Sequence, residues 1–228
     1  MTPIATATNT AGEPIEVGGG PGSGRGPGLI AVTPDGKTAY VVIVGHPGAV
    51  VPIAVATNTP GPPIEIGNHP DGIVITPDGK TVYVANIGSG TVTPIATATN
   101  TAGEPVVVGV RPRAIAVTPD GKTAYVVNQS RPQPPPWRSY EAGKRGRPEL
   151  PPDERGTVTP IVTATNTPGE PIDVGNEPFA IAGTPDGQTA YVGVWGEPGT
   201  VVPIATATNT PGQPIGVGDG PYAIAITP

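Results

Sequence analysis

The residues of this chain best suited to chemistry come in pairs, and the pairs recur. His69 and Asp71, Arg111 and Arg113, Glu177 and Phe179, and Gly220 and Tyr222 occupy matching places in otherwise similar stretches. Charged and aromatic side chains at repeated positions suit ligand binding, although drift at loop positions is the plainer alternative. A second group, Arg131, Trp137, Arg138 and Tyr140, follows Gln129 in a Pro-rich segment and could form a binding arm of Arg, Trp and Tyr. Catalytic chemistry finds no comparable support. His46 and His69 are the only histidines and have no clear carboxylate partner, so no metal site is expected. Cysteine is absent, which removes disulfides, thiolate ligands and a Cys nucleophile. No Ser-His-Asp grouping is readable, and Gly18–Gly28 lacks the Lys-Ser/Thr and the helix that a phosphate cradle needs. The reading therefore names no catalytic residue and no cofactor.

Composition limits the elements that could hold these residues. Gly and Pro number 34 each among 228 residues, which makes helices costly. Ordered structure must come from turns and short strands. The formal charge of −6 argues against nucleic-acid binding, which draws on basic surface. No apolar run is long enough for a membrane-spanning helix, and the N-terminal residues lack a signal-peptide pattern.

Internal repetition organises the chain. Ala-Thr-Asn-Thr recurs with its Asn at 9, 58, 100, 166 and 209, and Thr-Pro-Asp-Gly with its Asp at 35, 78, 120 and 186. The unit is about 42 residues long, with extra residues in Gly18–Gly26 and after Asn128. Each unit contains four strand-like segments, exemplified by Ile73–Thr76, Thr81–Asn86, Val92–Thr99 and Pro105–Val108. Pro-Asp-Gly turns the first into the second, with Gly supplying positive φ. Four short strands per unit of this length predict a β-propeller blade. Apolar residues on both faces of the first strand, such as Ile73 and Val74, predict sheets packed between neighbours. Pro63, Pro105, Pro171 and Pro214 fall in the fourth, outer strand, where proline blocks edge pairing. Pro52, Pro94, Pro160 and Pro203 fall in the third, interior strand, and are expected at its entrance or at a bulge.

The runs Tyr83-Val84-Ala85-Asn86 and Tyr125-Val126-Val127-Asn128, each after Thr-Pro-Asp-Gly-Lys-Thr, together with Gly-Thr-Val-Thr-Pro-Ile, resemble the YVTN-type β-propeller repeat. That family occurs in surface-layer-like and other exported bacterial and archaeal proteins. Tyr40-Val41-Val42-Ile43 and Tyr191-Val192-Gly193-Val194 depart from it by lacking the terminal Asn. The resemblance implies an extracellular or cell-surface location for the intact family protein.

These observations predict an all-β chain, residues 1–228 forming a single β-propeller of four-stranded antiparallel blades. Strand counting gives about five blade equivalents and leaves one second strand missing, so the chain reads as a fragment of a longer propeller or a five-bladed ring with one strand short. Unclosed ends of this kind invite self-association. Residues 129–156 form a Pro- and Arg-rich inserted loop, expected to be disordered, and net +2 against −8 for the remainder. In a propeller both insertions emerge on one face, and the paired residues would ring the mouth of the central channel on that face. The functional expectation is a non-enzymatic binding or structural scaffold meeting a protein or carbohydrate partner there. The alternative is a lactonase- or quinoprotein-like propeller enzyme with its site at the channel mouth.

Overall fold

The computed structural model describes residues 1–18, 26–129 and 155–227. Arg131, Trp137, Arg138, Tyr140 and most of the expected loop lie outside the described residues, as does most of the Gly18–Gly26 insertion. The chain divides into two compact units, Met1–Pro105 and Val106–Pro228. All regular elements among the described residues are β-strands.

In the first unit β1 (Ile4–Ala5) and β2 (Thr10–Ala11) form a small hairpin. The next sheet runs β3 (Gly26–Val32), β4 (Thr38–Val44) and β5 (Ala49–Ala54), with β6 (Thr59–Pro60) and β7 (Ile64–Glu65) both on β5. Then follow β8 (Pro70–Ile75), β9 (Thr81–Asn86), β10 (Thr91–Ala96) and β11 (Thr101–Ala102), paired in that order. The second unit opens with β12 (Val106–Val107). Its first full sheet has β13 (Pro112–Val117), β14 (Thr123–Asn128) and β15 (Gly156–Val162), with β16 (Thr167–Pro168) and β17 (Ile172–Gly175) on β15. Its second has β18 (Pro178–Gly183), β19 (Thr189–Val194) and β20 (Thr200–Ala205), with β21 (Thr210–Pro211) and β22 (Ile215–Gly216) on β20. Among the described residues the pairings within each unit are antiparallel. Pro221–Thr227 repeats the sequence of a first strand but has no strand partner among the described residues. An isolated extended segment without a neighbour has no ladder to join.

The prolines behave differently from the expectation. The outer strand is two short pieces rather than one, because Pro63, Pro171 and Pro214 interrupt it between β6 and β7, β16 and β17, and β21 and β22. Pro52, Pro94, Pro160 and Pro203 lie inside the third strands, opposite Tyr40, Tyr83, Tyr125 and Tyr191, with no bulge in that register. The physical reason lies in which side they face. A strand residue points its N–H and C=O to the same neighbour. The Pro94 carbonyl accepts from Gly103 N at 2.8 Å, and the Pro52 carbonyl from Gly61 N at 2.7 Å, so both groups face outward. The missing N–H therefore falls at the break in the outer strand, and the ladder to the second strand is intact. The fit opposite is close: a Cβ at Gly61 would lie 3.1 Å from Pro52 Cγ, so the proline ring would have to shift to admit one.

Alternation along the second strand makes the core. Tyr40 and Val42 of β4 pack with Val82 and Val84 of β9, while Ala39, Val41 and Ile43 turn to the other face and meet Ile15 and Val17. In the second unit Tyr125 and Val127 pack with Ala190, Val192 and Val194. Each such Val or Ile is worth about 1.5–3 kcal/mol when fully buried. The repeat markers themselves pin one sheet to the next. Asn100 and Asn209 hold φ of 53° and 55°, a left-handed turn that asparagine tolerates. Tyr40 OH donates to Asn100 Oδ1 and Tyr125 OH to Asn209 Oδ1, each at 2.7 Å.

Candidate functional site

Each full first strand begins with the same irregularity. The register slips between Pro27 and Leu29, Pro70 and Gly72, Pro112 and Ala114, and Pro178 and Ala180. The residue left over in each bulge is Gly28, Asp71, Arg113 or Phe179. A bulge re-aims a side chain that the pleat would otherwise direct into the packing between sheets. Just before the proline, His69, Arg111 and Glu177 hold φ of 47°, 56° and 55°, and Gly220 holds 60°. Positive φ is uncommon for His, Arg or Glu, and such strain gathers at functional positions. The turn is closed by the residue after the second strand: Ile87, Gln129 and Trp195 donate their N–H to the carbonyls of His69, Arg111 and Glu177. His69 with Asp71, Arg111 with Arg113 and Glu177 with Phe179 are thus a left-handed residue and a bulge residue on either side of one proline. Gly220 and Tyr222 flank Pro221 in a segment without a strand partner among the described residues.

In the second unit three of them meet. The Arg113 guanidinium carbon lies 4.3 Å from the centroid of the Phe179 ring, and the Phe179 and Tyr222 centroids are 4.3 Å apart with planes tilted by 39°. Arg113 Nη1 also donates to Gln129 Oε1 at 3.2 Å. Arginine over an aromatic face gains from the ring quadrupole, by about 0.5–1 kcal/mol when exposed. Tyr222 is 70 % exposed, so the stack opens to solvent at its tyrosine end. Arg111 Nε is buried and has no hydrogen-bond partner among the described residues.

The first unit is built differently at the equivalent place. The His46 and His69 rings are 3.7 Å apart in an edge-on arrangement at 82°, and Asp71 sits in the bulge. Among the described residues no three His, Cys, Asp or Glu side chains group as metal ligands do.

Sequence comparison of the repeats had not singled out Gln129 and Trp195 as part of this end. Gln129 anchors Arg113, and the Trp195 indole lies over Gly220, where a Cβ would come within 2.9 Å of Nε1. The available signal was the position just after the second strand, which reads Ile87, Gln129 and Trp195 in three copies. The aromatic inventory sharpens the point. Tyr40, Tyr83, Tyr125 and Tyr191 hold one structural register position. Phe179, Trp195 and Tyr222 all belong to the strand entrances of the second unit, and Trp137 and Tyr140 to the insertion that follows Gln129.

The Asp residues of the turns carry no such role. Thr118 Oγ1 donates to Asp120 Oδ1 at 2.6 Å and Lys122 N donates to the same oxygen at 3.0 Å. These bonds, the threonine hydroxyl first, hold the carboxyl at about 2. Asp35, Asp78 and Asp186 are lowered for the same reason. The Lys37, Lys80 and Lys122 ammonium groups add exposed ion pairs to the turns, worth little by themselves.

No family model and no curated protein matches the chain. Two solved structures are similar to it. Hydrazine synthase from Kuenenia stuttgartiensis shares 22 % identity at a TM-score of 0.69, over 85 % of this chain and 49 % of that one. A functionally unknown protein from Desulfotomaculum acetoxidans DSM 771 shares 22 % identity at a TM-score of 0.63, over 85 % and 56 %. The chain spans about half the length of these neighbours. Identity at this level carries the fold alone. The chain is an all-β protein of the β-propeller type, built from antiparallel blades.

Proposed function

We propose that this chain is a YVTN-type repeat propeller acting as a non-enzymatic binding scaffold, part of an exported or cell-surface protein, with its ligand held at the strand entrances of the second unit. The observation that carries the reading is the stack of Arg113, Phe179 and Tyr222. Three blade-entrance residues far apart in sequence are brought into contact at an exposed end, where they stabilise no core. Arginine and tyrosine are residue types that concentrate binding energy. The bulges at Arg113 and Phe179 support the same reading, because they turn these two side chains out of the inter-sheet packing.

The test is a binding screen of the intact chain against glycan and peptide arrays, repeated with Phe179→Ala and Tyr222→Ala. Substitutions at Glu104 and Glu170, on the outer turns, serve as controls. Loss of at least tenfold in affinity from the stack variants, with the controls unchanged, supports the scaffold. Equal effects at both places overturn the assigned location. Stoichiometric metal with turnover of a lactone would replace the scaffold by the enzyme.

A further inference from the structure

The same end of the second unit carries information about what it binds. Basic residues are sorted by type along this chain. Three of its four lysines, Lys37, Lys80 and Lys122, are paired with the turn aspartates. Seven of its eight arginines fall between Arg111 and Arg155. In a protein of net charge −6, Arg111 and Arg113 thus stand at the same strand entrances as the non-structural rings Phe179 and Tyr222. Arg113 is held against Phe179 and tied to Gln129, so its orientation is set before any ligand arrives. Such preorganisation reduces the entropy lost on binding.

We propose, building on the scaffold reading above, that the ligand is an acidic saccharide, with one sugar ring laid on Tyr222 and a carboxylate bonded to Arg113. Two features select this class. The open element is a single ring face, 70 % exposed, which suits the C–H face of one pyranose. The two 4.3 Å separations place the guanidinium carbon within about 9 Å of the Tyr222 centroid, a span of one to two sugar rings. A carboxylate on the same or the adjoining sugar falls within that reach, and guanidinium is the donor group best matched to it. A single-stranded nucleic acid would need a longer basic track with several stacking rings. The described face offers one open ring.

The experiment titrates the intact chain with a short oligouronate, an uncharged oligosaccharide of the same length, a Glu-rich peptide and an oligo-dT strand, at low and at high salt. The oligouronate is expected to bind tightest and to weaken as salt rises. Tyr222→Ala should weaken both saccharides at least tenfold. Arg113→Gln should weaken the oligouronate at least tenfold and leave the uncharged sugar unchanged. Arg113→Lys should restore only part of the loss, because the bidentate geometry is gone. Melting temperatures of all variants identify any that are misfolded, and Tyr222→Phe, which keeps the ring, provides a folded comparison. Equal affinity for the two saccharides, or an oligouronate affinity indifferent to Arg113→Gln, overturns the acidic-sugar assignment. Tighter binding of the peptide or the oligo-dT at these residues also overturns it, but leaves the scaffold standing. If no array compound binds in a way that depends on Phe179 or Tyr222, the scaffold reading falls as well.

Discussion

Two neighbouring sheets of the first unit solve the same packing problem with opposite chemistry. At the end of β9 stands Asn86, fully buried, whose Nδ2 donates to Thr91 Oγ1 at 3.2 Å and Thr93 Oγ1 at 2.9 Å. In β4 the matching register positions hold Ile43, with Ala49 and Val51 in place of the threonines. The second unit repeats the contrast. Asn128 bonds to Thr157, Thr159 and the Val108 carbonyl, whereas Val194 packs beside Val202. The inner threonine, Thr93 or Thr159, thus accompanies the asparagine, and Val51 or Val202 stands there where the asparagine is absent. The position directly opposite is less strict and keeps Thr200 beside Val194. A half-exchange would leave a buried amide or hydroxyl without its mate, and that is the expensive state. The asparagine sheets also need space: a Cβ at Gly67 would lie 2.7 Å from the Asn86 side chain, while one at Gly175 would be 4.0 Å from Val194.

The comparison can be broken most severely by Asn86→Ala, which creates a cavity and strands Thr91 and Thr93; it should cost about 3 kcal/mol in urea denaturation. Thr93→Val alone removes the nearer acceptor of a buried amide and should cost about 2 kcal/mol. The combination Asn86→Val with Thr93→Val copies the valine sheets, and should recover to within about 1 kcal/mol of the parent. With Asn86→Val as the matching single variant, losses that simply add in the double variant would show that the amide and hydroxyl are independent, contrary to the exchange seen between sheets. Smaller still is the pin between sheets. Tyr40→Phe deletes the bond to Asn100 and should cost about 1 kcal/mol, with the denaturant slope unchanged.

The least effect should come from the turns, and it should appear only in acid. Asp120 has its folded-state pKa lowered to about 2 from an ordinary 3.8. A lowered carboxylate favours the folded state wherever it is ionised. Its contribution is therefore complete above the ordinary value and disappears as the pH falls through about 2. Asp120→Asn should flatten this acid limb of the stability profile relative to the parent and leave neutral stability little changed. An acid limb of unchanged steepness would assign the loss to other carboxylates.

Much of this was legible beforehand because repetition magnifies local rules. The bounds Thr81–Asn86 and Thr123–Asn128 follow from the turn before them and the apolar alternation within them. Pro-Asp-Gly specified its hairpins through φ restrictions that act over four residues. The interior prolines were misplaced because a linear pattern shows that a donor is missing but not which neighbour it would have faced. The bulges were invisible for a related reason. A bulge is a relation between two strands, and Arg113 looks like any other strand-entrance residue until it is aligned with β14.

Sequence by itself determined the repeat, the antiparallel strands, the turn chemistry and the positions where copies differ, since these depend on backbone preferences and on apolar period. Tertiary structure decided which of those differing positions meet. Phe179 stands 66 residues from Arg113 and 43 from Tyr222. Only the stacking of successive sheets, driven by burial of their alternating valines and isoleucines, sets such distant residues 4.3 Å apart. The choice of Asn86 with Thr93, or of Ile43 with Val51, is of the same kind, because a buried amide N–H is satisfied only where the neighbouring strand presents an acceptor.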